Sequence, residues 1–148
     1  PSCLRDAVEA RLGRVLGSWN GTKFMVGQCC KKVGADCIGF VAGVVDELYG
    51  IETAKGIQRT SAKAVLVYCR RNWPSEVVPL DDRILVSPGD VVIVKRNTGT
   101  AHIFIVGPRE GTLWHCVQGS GVCCTGMMTA NTEQVAGVYR LLRKETWV

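Results

Sequence analysis

The chain has 148 residues, of which 47% are hydrophobic and 21% are charged, and its formal net charge is +5 at pH 7. This composition can form one core, and no Gly/Ser-rich or Pro-rich stretch divides the sequence, so we expect a single domain over residues 1–148. The basic residues are scattered, without a stripe interleaved with aromatic residues, which argues against nucleic-acid binding.

No segment has the composition of a membrane span or of a secretory signal. The longest apolar stretch, residues 38–45, contains two glycines and is far shorter than the roughly 20 residues that cross a bilayer. The N-terminal residues lack a basic segment followed by an apolar run. We therefore expect synthesis in a cytoplasm without a cleavable signal peptide.

The eight cysteines invite a disulfide interpretation, since their number is even. Small secreted domains need disulfides because their cores are too small, whereas this chain has enough apolar residues for a core, so free thiols are favoured. There is no Cys-x-x-Cys motif, and the adjacent pairs at 29–30 and 123–124 are poorly spaced for tetrahedral zinc. The sequence therefore predicts neither a metal site nor a cofactor.

Helical periodicity is found in three segments of the first half. Apolar residues recur every three or four positions from Leu4 to Trp19, which predicts a first helix ending near Gly17. The same period over residues 37–49 predicts a second helix. A third is predicted over residues 61–71, because prolines interrupt the sequence that follows.

The second predicted helix has a signal at each end. Asp36 can accept a hydrogen bond from the first turn, and Gly50 can supply the left-handed residue that ends a helix. The small residues Gly39, Ala42 and Gly43 would allow another element to approach closely. We expect this helix to lie centrally against a sheet.

Beyond Pro88 the pattern changes to short β-branched runs separated by turns that contain glycine. Four strands are predicted, over residues 91–95, 102–106, 113–117 and 138–142. Helices followed by strands indicate an α+β fold, with N-terminal helices packed against a C-terminal antiparallel sheet.

Cys37 and the two histidines of the chain form the candidate catalytic group. A cysteine at a helix N-terminus has a lowered pKa when a histidine cation is near, and the thiolate is the nucleophile. His102 and His115 fall in neighbouring predicted strands, so they can lie side by side, with His102 as the base and His115 orienting it. Without further support, an inert buried cysteine and structural histidines are the alternative.

Five segments of the sequence, in this order, carry a family resemblance. They are Trp19-Asn20-Gly21-Thr22-Lys23-Phe24, Asp36-Cys37-Ile38-Gly39-Phe40 continued by Glu47-Leu48-Tyr49-Gly50, Pro88-Gly89-Asp90-Val91-Val92, His102-Ile103-Phe104-Ile105-Val106 and Leu113-Trp114-His115-Cys116. Together they resemble the NlpC/P60 family of cysteine peptidases, most closely its phage-tail branch. The resemblance implies a papain-like fold whose nucleophile opens the central helix.

The resemblance also implies an activity and a setting. It implies a thiol protease that cleaves amide bonds in the stem peptides of bacterial peptidoglycan, with Cys37, His102 and His115 as catalytic residues. The phage-tail branch implies a place in the virion at the tail tip, beside other tail-tip or hub proteins, and a role in local penetration of the wall during genome delivery.

Two further residues are assigned to substrate binding by the same resemblance. The acid at Asp36 would meet the stem peptide, although an N-cap role is equally consistent with its position. Phe24 stands where many members of the family have tyrosine, and phenylalanine cannot donate a hydrogen bond. This departure leaves open a catalytically weakened structural adaptor or plug of the tail tip. A papain-like acyltransferase or amidase is also open, because the same triad can pass an acyl group to an acceptor other than water.

Overall fold

The computed structural model describes residues 2–80, 86–96, 101–126 and 135–142, with side chains from residue 9 onward. The helices are α1 (Ser2–Ser18), α2 (Cys37–Tyr49) and α3 (Ala62–Asn72), with a 3-10 turn at Ala54–Gly56. The strands are β1 (Cys29–Cys30), β2 (Gly34–Ala35), β3 (Ser75–Val77), β4 (Asp90–Lys95), β5 (Ala101–Val106), β6 (Thr112–Val117), β7 (Gly121–Gly126) and β8 (Val135–Leu141). None of the helices in these ranges is long and apolar enough to cross a membrane.

The main sheet has six antiparallel strands in the order β3-β8-β4-β5-β6-β7, and β1 and β2 form a separate small hairpin. Strands β4 to β7 are neighbours in both sequence and space. Consecutive pairing is the outcome expected of short connections that contain glycine. It places the two strands that carry His102 and His115 next to each other.

Helix α2 has the two ends that the sequence predicts. Asp36 is extended, with φ −89° and ψ 180°, and its side chain accepts a hydrogen bond from the Gly39 N–H. Gly50 is left-handed, with φ 66° and ψ 39°, and its N–H donates to the Asp46 carbonyl. A Cβ on Gly39 would overlap the carbonyl oxygen of Gln28, so the first turn of α2 lies directly against the preceding loop.

The core lies mainly between α2 and the sheet. Nearly every residue of α2 is buried, and the helix packs against β5 and β6 and against α1. Alternation along the strands divides the apolar side chains between two faces. Val91, Ile93, Ile103 and Ile105 belong to the cluster that includes α2, whereas Val92, Phe104, Val106, Leu113 and Val138 belong to a smaller cluster.

The sequence locates all three helices to within a residue or two, and it misses several strands. The strands that it misses are β7, β3 and the β1–β2 hairpin, and β8 begins at Val135, three residues before the predicted start. Strand β7 reads Gly-Val-Cys-Cys-Thr-Gly, which lacks a β-branched run, and β3 has only three residues and lies at the sheet edge. Pairing with a neighbour holds these segments as strands where intrinsic propensity is weak.

Gly43 provides a test of the packing between α1 and α2. A Cβ at this position would overlap the buried Trp19 ring, which packs edge-on against Phe40 with ring centroids 5.6 Å apart. We expect Gly43→Ala to lower the free energy of unfolding by about 1–3 kcal/mol, the range for overpacking a core. Urea denaturation measures it through the transition midpoint at unchanged slope.

Gly17→Ala is the matched control, because it is the same substitution in a helix with nothing near the added Cβ. It should raise the free energy of unfolding by about 0.5–1 kcal/mol through helix propensity. Equal effects of the two substitutions would show that Trp19 does not limit the space at Gly43.

Candidate active site

Cys37 is the first residue of α2 and is 8% exposed. Its sulfur meets β5 at the backbone N–H of Ile103, the residue that directly follows His102, and it also lies at the backbone N–H of Ile38. The packing of α2 against β5 therefore brings the predicted nucleophile to the strand that carries the predicted base.

The pKa of the Cys37 thiol lies above its ordinary value, whereas the helix position and a histidine cation predict a lowered one. Burial is the largest cause, and the charge of Asp36 raises the pKa further. The hydrogen bonds from Ile103 and Ile38 and the charge of Arg96 act in the opposite direction without overcoming burial. The predicted nucleophile therefore rests as a thiol, which would need a base to become reactive.

His102 and His115 lie side by side, as the hairpin predicts. The Nε2 atom of His102 is 3.2 Å from Nδ1 of His115, and the two rings meet edge to face with centroids 5.4 Å apart. Two residues that the sequence does not single out extend this contact. Arg96 Nη2 is 3.2 Å from His102 Nδ1, and Thr125 Oγ1 is 3.4 Å from His115 Nε2.

These four side chains form a polar row along four neighbouring segments of the sheet: Arg96 directly after β4, His102 on β5, His115 on β6 and Thr125 on β7. The register explains this row. Val94 pairs with His102, so Arg96, two residues after Val94, is a diagonal neighbour of His102 on the same sheet face. Leu113 pairs with Thr125, so His115 is a diagonal neighbour of Thr125 in the same way. Sequence reasoning misses Arg96 and Thr125 because their contribution depends on register. The one sequence signal for Arg96 is its place two residues after Val94, and Thr125 has none because β7 is not predicted from the sequence.

The row determines both histidine tautomers. A guanidinium group only donates hydrogen bonds, so His102 Nδ1 accepts from Arg96 and the proton of His102 is on Nε2. That N–H then donates to Nδ1 of His115, whose own proton is on Nε2 and faces the Thr125 hydroxyl. Each imidazole is neutral in this arrangement.

The pKa values of the two histidines agree with neutral rings. Burial lowers the pKa of His102 to about 4, with further lowering by the charges of Arg96 and His115. Burial also lowers the pKa of His115. At neutral pH the site therefore contains a thiol and two neutral imidazoles.

Asp36 is buried, and it is held by four hydrogen bonds. Its Oδ1 accepts from the Gly39 N–H at 2.7 Å and from Arg59 Nη2 at 3.2 Å, and its Oδ2 accepts from the Gly27 N–H at 2.9 Å and from Arg59 Nε at 2.6 Å. A carboxylate has about four acceptor positions, and these bonds occupy them. The N-cap role is confirmed, while substrate contact by Asp36 stays a prediction.

Phe24 is half-buried and forms an isolated bridge with Ala35, two residues before Cys37. It lines an open cavity of about 510 Å³ together with Thr22, Lys23 and residues 118–121. This cavity lies where the loop after α1 meets the β6–β7 turn, since the Val122 N–H donates to the Thr22 carbonyl. The predicted contact of Phe24 with substrate remains a prediction.

The cysteines from residue 29 onward are all free thiols. Cys116 donates to the Ala35 carbonyl at 3.1 Å, and burial raises the pKa values of Cys116 and Cys69 to about 12. These two buried thiols remain protonated and do not compete as nucleophiles. Among the residues that the structure describes, no group of three or more His, Cys, Asp or Glu side chains could hold a metal ion.

No family model matches the sequence, and no curated protein matches it. The structure is similar to the crystal structure of the NlpC/p60 domain of the peptidoglycan hydrolase SagA, with a TM-score of 0.61 and 19% sequence identity. The match covers 90% of this chain and 98% of that chain. The chain therefore has the α+β, papain-like fold of an NlpC/P60 domain, which confirms the predicted fold class.

Substitution of Asp36 separates its structural role from a role in substrate binding. Asp36→Ala removes the N-cap and leaves Arg59 without its carboxylate partner, so we expect the free energy of unfolding to fall by about 2–3 kcal/mol. Asp36→Asn keeps an oxygen that can cap the helix and should cost less. Urea denaturation measures the free energy of unfolding of both variants and so tests this order. A large loss of turnover in Asp36→Asn at unchanged stability would instead support contact with substrate.

The lowered pKa of His102 predicts an acid-sensitive fold. Because the folded protein binds this proton less readily than the unfolded chain, acidification favours unfolding from about pH 6.5 down to about pH 4. Between pH 7 and pH 4.5 the group should contribute a loss of up to about 2 kcal/mol. Urea denaturation at both pH values checks this: the loss should be smaller in His102→Gln than in wild type. The same loss in both proteins would contradict the lowered pKa.

Proposed function

We propose that this chain is a cysteine peptidase that hydrolyses amide bonds in the stem peptides of bacterial peptidoglycan. The observation that carries the proposal is that the Cys37 sulfur lies at the backbone N–H of Ile103, the residue that follows His102 on β5, and that His102 Nε2 is 3.2 Å from His115 Nδ1. A nucleophile, a base and a group that orients the base are the three parts that acyl transfer through a thiol requires.

Catalysis begins with transfer of the Cys37 proton to Nδ1 of His102 while the sulfur attacks the substrate carbonyl. His102 becomes an imidazolium whose Nε2–H still donates to His115 Nδ1, so the charged ring keeps its orientation. The new proton then passes to the leaving amine as the C–N bond breaks and an acyl-enzyme remains. Water, deprotonated by Nδ1, cleaves the thioester and regenerates the thiol.

The first turn of α2 supplies hydrogen-bond donors for the oxyanion. An α-helix leaves its first N–H groups without intrahelical partners, and Asp36 accepts only the one from Gly39. The N–H group of Cys37 therefore remains at the positive end of the helix dipole, next to the reacting sulfur, and the N–H group of Ile38 already lies at that sulfur. This arrangement makes no use of the hydroxyl group that Phe24 lacks.

The choice of substrate is supported by likeness and by charge. The fold is that of a domain from a peptidoglycan hydrolase, and the formal net charge of +5 favours association with an anionic polymer. The resemblance of the sequence to the phage-tail branch supports a location at the tail tip of a virion, next to other tail-tip or hub proteins. There the enzyme would open the wall locally during genome delivery.

A second candidate is a structural adaptor or plug of the tail tip that keeps the fold with weakened catalysis. The observation that favours it is the resting state of His102, whose Nδ1 is occupied by Arg96 and whose pKa is about 4. A weak, occupied base would leave the Cys37 proton in place. Activity decides between the two candidates.

The test is digestion of purified peptidoglycan of several wall chemotypes, with new amine ends identified by mass spectrometry. Wild type should release peptides with new amine ends, and Cys37→Ala should lower the rate by at least about a thousandfold because the thiol is the nucleophile. Cys30→Ala is the matched control, since Cys30 is exposed and lies on β1. It should leave the rate unchanged.

Two outcomes would count against the peptidase. If wild type releases no new amine ends from any wall, the adaptor is favoured. If Cys37→Ala digests as fast as wild type, the activity does not belong to this site.

A further inference from the structure

Arg96 is an exposed cation directly beside the candidate catalytic group. It follows β4, and it lowers the pKa values of both Cys37 and His102 through its charge. Its Nη2 atom is 3.2 Å from His102 Nδ1, so its guanidinium group lies within reach of a substrate that binds at His102.

The hydrogen-bond partner of Arg96 is unusual for an arginine. Among the described residues, carboxylates are paired with Lys31, Arg59 and Arg140, and Arg96 has no carboxylate partner there. Its guanidinium group instead donates to a neutral nitrogen, His102 Nδ1. A guanidinium fork matches a carboxylate in shape and charge, so its positive charge and its remaining N–H groups are available to an anionic ligand.

The contact between Arg96 and His102 also opposes catalysis as long as it persists. One lone pair on Nδ1 cannot accept from Arg96 and take the proton of Cys37 at the same time. The adjacent positive charge further disfavours the imidazolium that the reaction must form. An anion that binds Arg96 removes both obstacles, because it occupies the guanidinium group and offsets its charge.

We propose that Arg96 binds a free carboxylate of the substrate close to the scissile amide, and that this binding releases His102 Nδ1 to act as the base. The inference rests on the proposed peptidase function, and it specifies the substrate as a peptide with an anionic group next to the bond that is cleaved. Arg96 is thus a specificity-determining residue that also controls the position of the base.

Two alkylating reagents that differ in charge test the carboxylate site without any substrate. Iodoacetate carries a carboxylate and iodoacetamide carries a neutral amide, and both transfer their carbon to a thiolate with loss of iodide. The ratio of their rates at Cys37 is measured at pH 8.5 by peptide mapping. Dividing this ratio by that at the exposed Cys30 of the same molecules removes the intrinsic difference between the reagents.

Arg96→Gln should lower the normalised ratio of iodoacetate to iodoacetamide on the order of fivefold relative to wild type, the size expected for one exposed ion pair. Lys31 and Lys32, which follow Cys30, are the same in both proteins and do not affect this comparison. Lys95→Gln is the matched control, because it removes the same charge from the neighbouring exposed residue, which alternation places on the opposite sheet face. The control should keep the wild-type ratio. High salt should lower the ratio in wild type and have little effect in Arg96→Gln.

A second, independent measurement is the pKa of His102, which reports on its contact with Arg96. The NMR titration of His102 should show a higher pKa in Arg96→Gln than in wild type, because a neighbouring positive charge has been removed. An unchanged alkylation ratio in Arg96→Gln, or an equal fall in Lys95→Gln, would overturn the inference. So would a Cys37 that neither reagent modifies.

The digestion assay distinguishes a failure of this inference from a failure of the proposed peptidase function. Wall cleavage together with an unchanged alkylation ratio would reject only the role of Arg96. A ratio that depends on Arg96 without wall cleavage would reject the peptidase and leave a carboxylate-binding site.

Discussion

The carboxylate of Asp36 makes the contacts on which the position of Cys37, the proposed nucleophile, depends. It caps α2, accepts a hydrogen bond from the Gly27 N–H of the preceding loop, and accepts hydrogen bonds from Nε and Nη2 of Arg59. Three segments therefore meet at one buried side chain. Because Cys37 is the next residue, any shift of this junction would move the sulfur relative to Ile103. The same negative charge raises the pKa of the thiol, so the contact that positions the nucleophile also weakens it.

Much of the scaffold could be predicted from local sequence signals. The helical period of residues 37–49, with Asp36 and Gly50 at its ends, fixes α2 almost to the residue. The β-branched runs around His102 and His115 place both histidines in one hairpin. Strand β7 could not be predicted in this way, because Cys123, Cys124 and two terminal glycines carry little strand propensity and the strand exists through its pairing with β6.

The chemistry of the site was predictable only in part, because protonation and partner choice depend on burial and register. Position at a helix N-terminus predicts a lowered pKa for Cys37, whereas burial of its side chain raises the pKa. Arg96 and Thr125 join the histidines through diagonal neighbours in a register that no spacing rule specifies. In the proposed mechanism the site resembles a serine hydrolase in one respect, since the proposed nucleophile and base are both neutral at rest and the charge is created during the reaction.

The contact between Gly39 and Gln28 shows that the segment Asp36-Cys37-Ile38-Gly39 meets a packing requirement at Gly39 that is separate from the chemistry of Cys37. The glycine is required because a side chain would collide with the preceding loop, and this requirement is independent of the reactivity of the sulfur. A descendant chain that lost its thiol or its imidazoles would still need a residue without a Cβ at this position. A sequence pattern that depends on the glycine therefore identifies the architecture, and the proposed activity would have to be recognised from residues 37, 102 and 115.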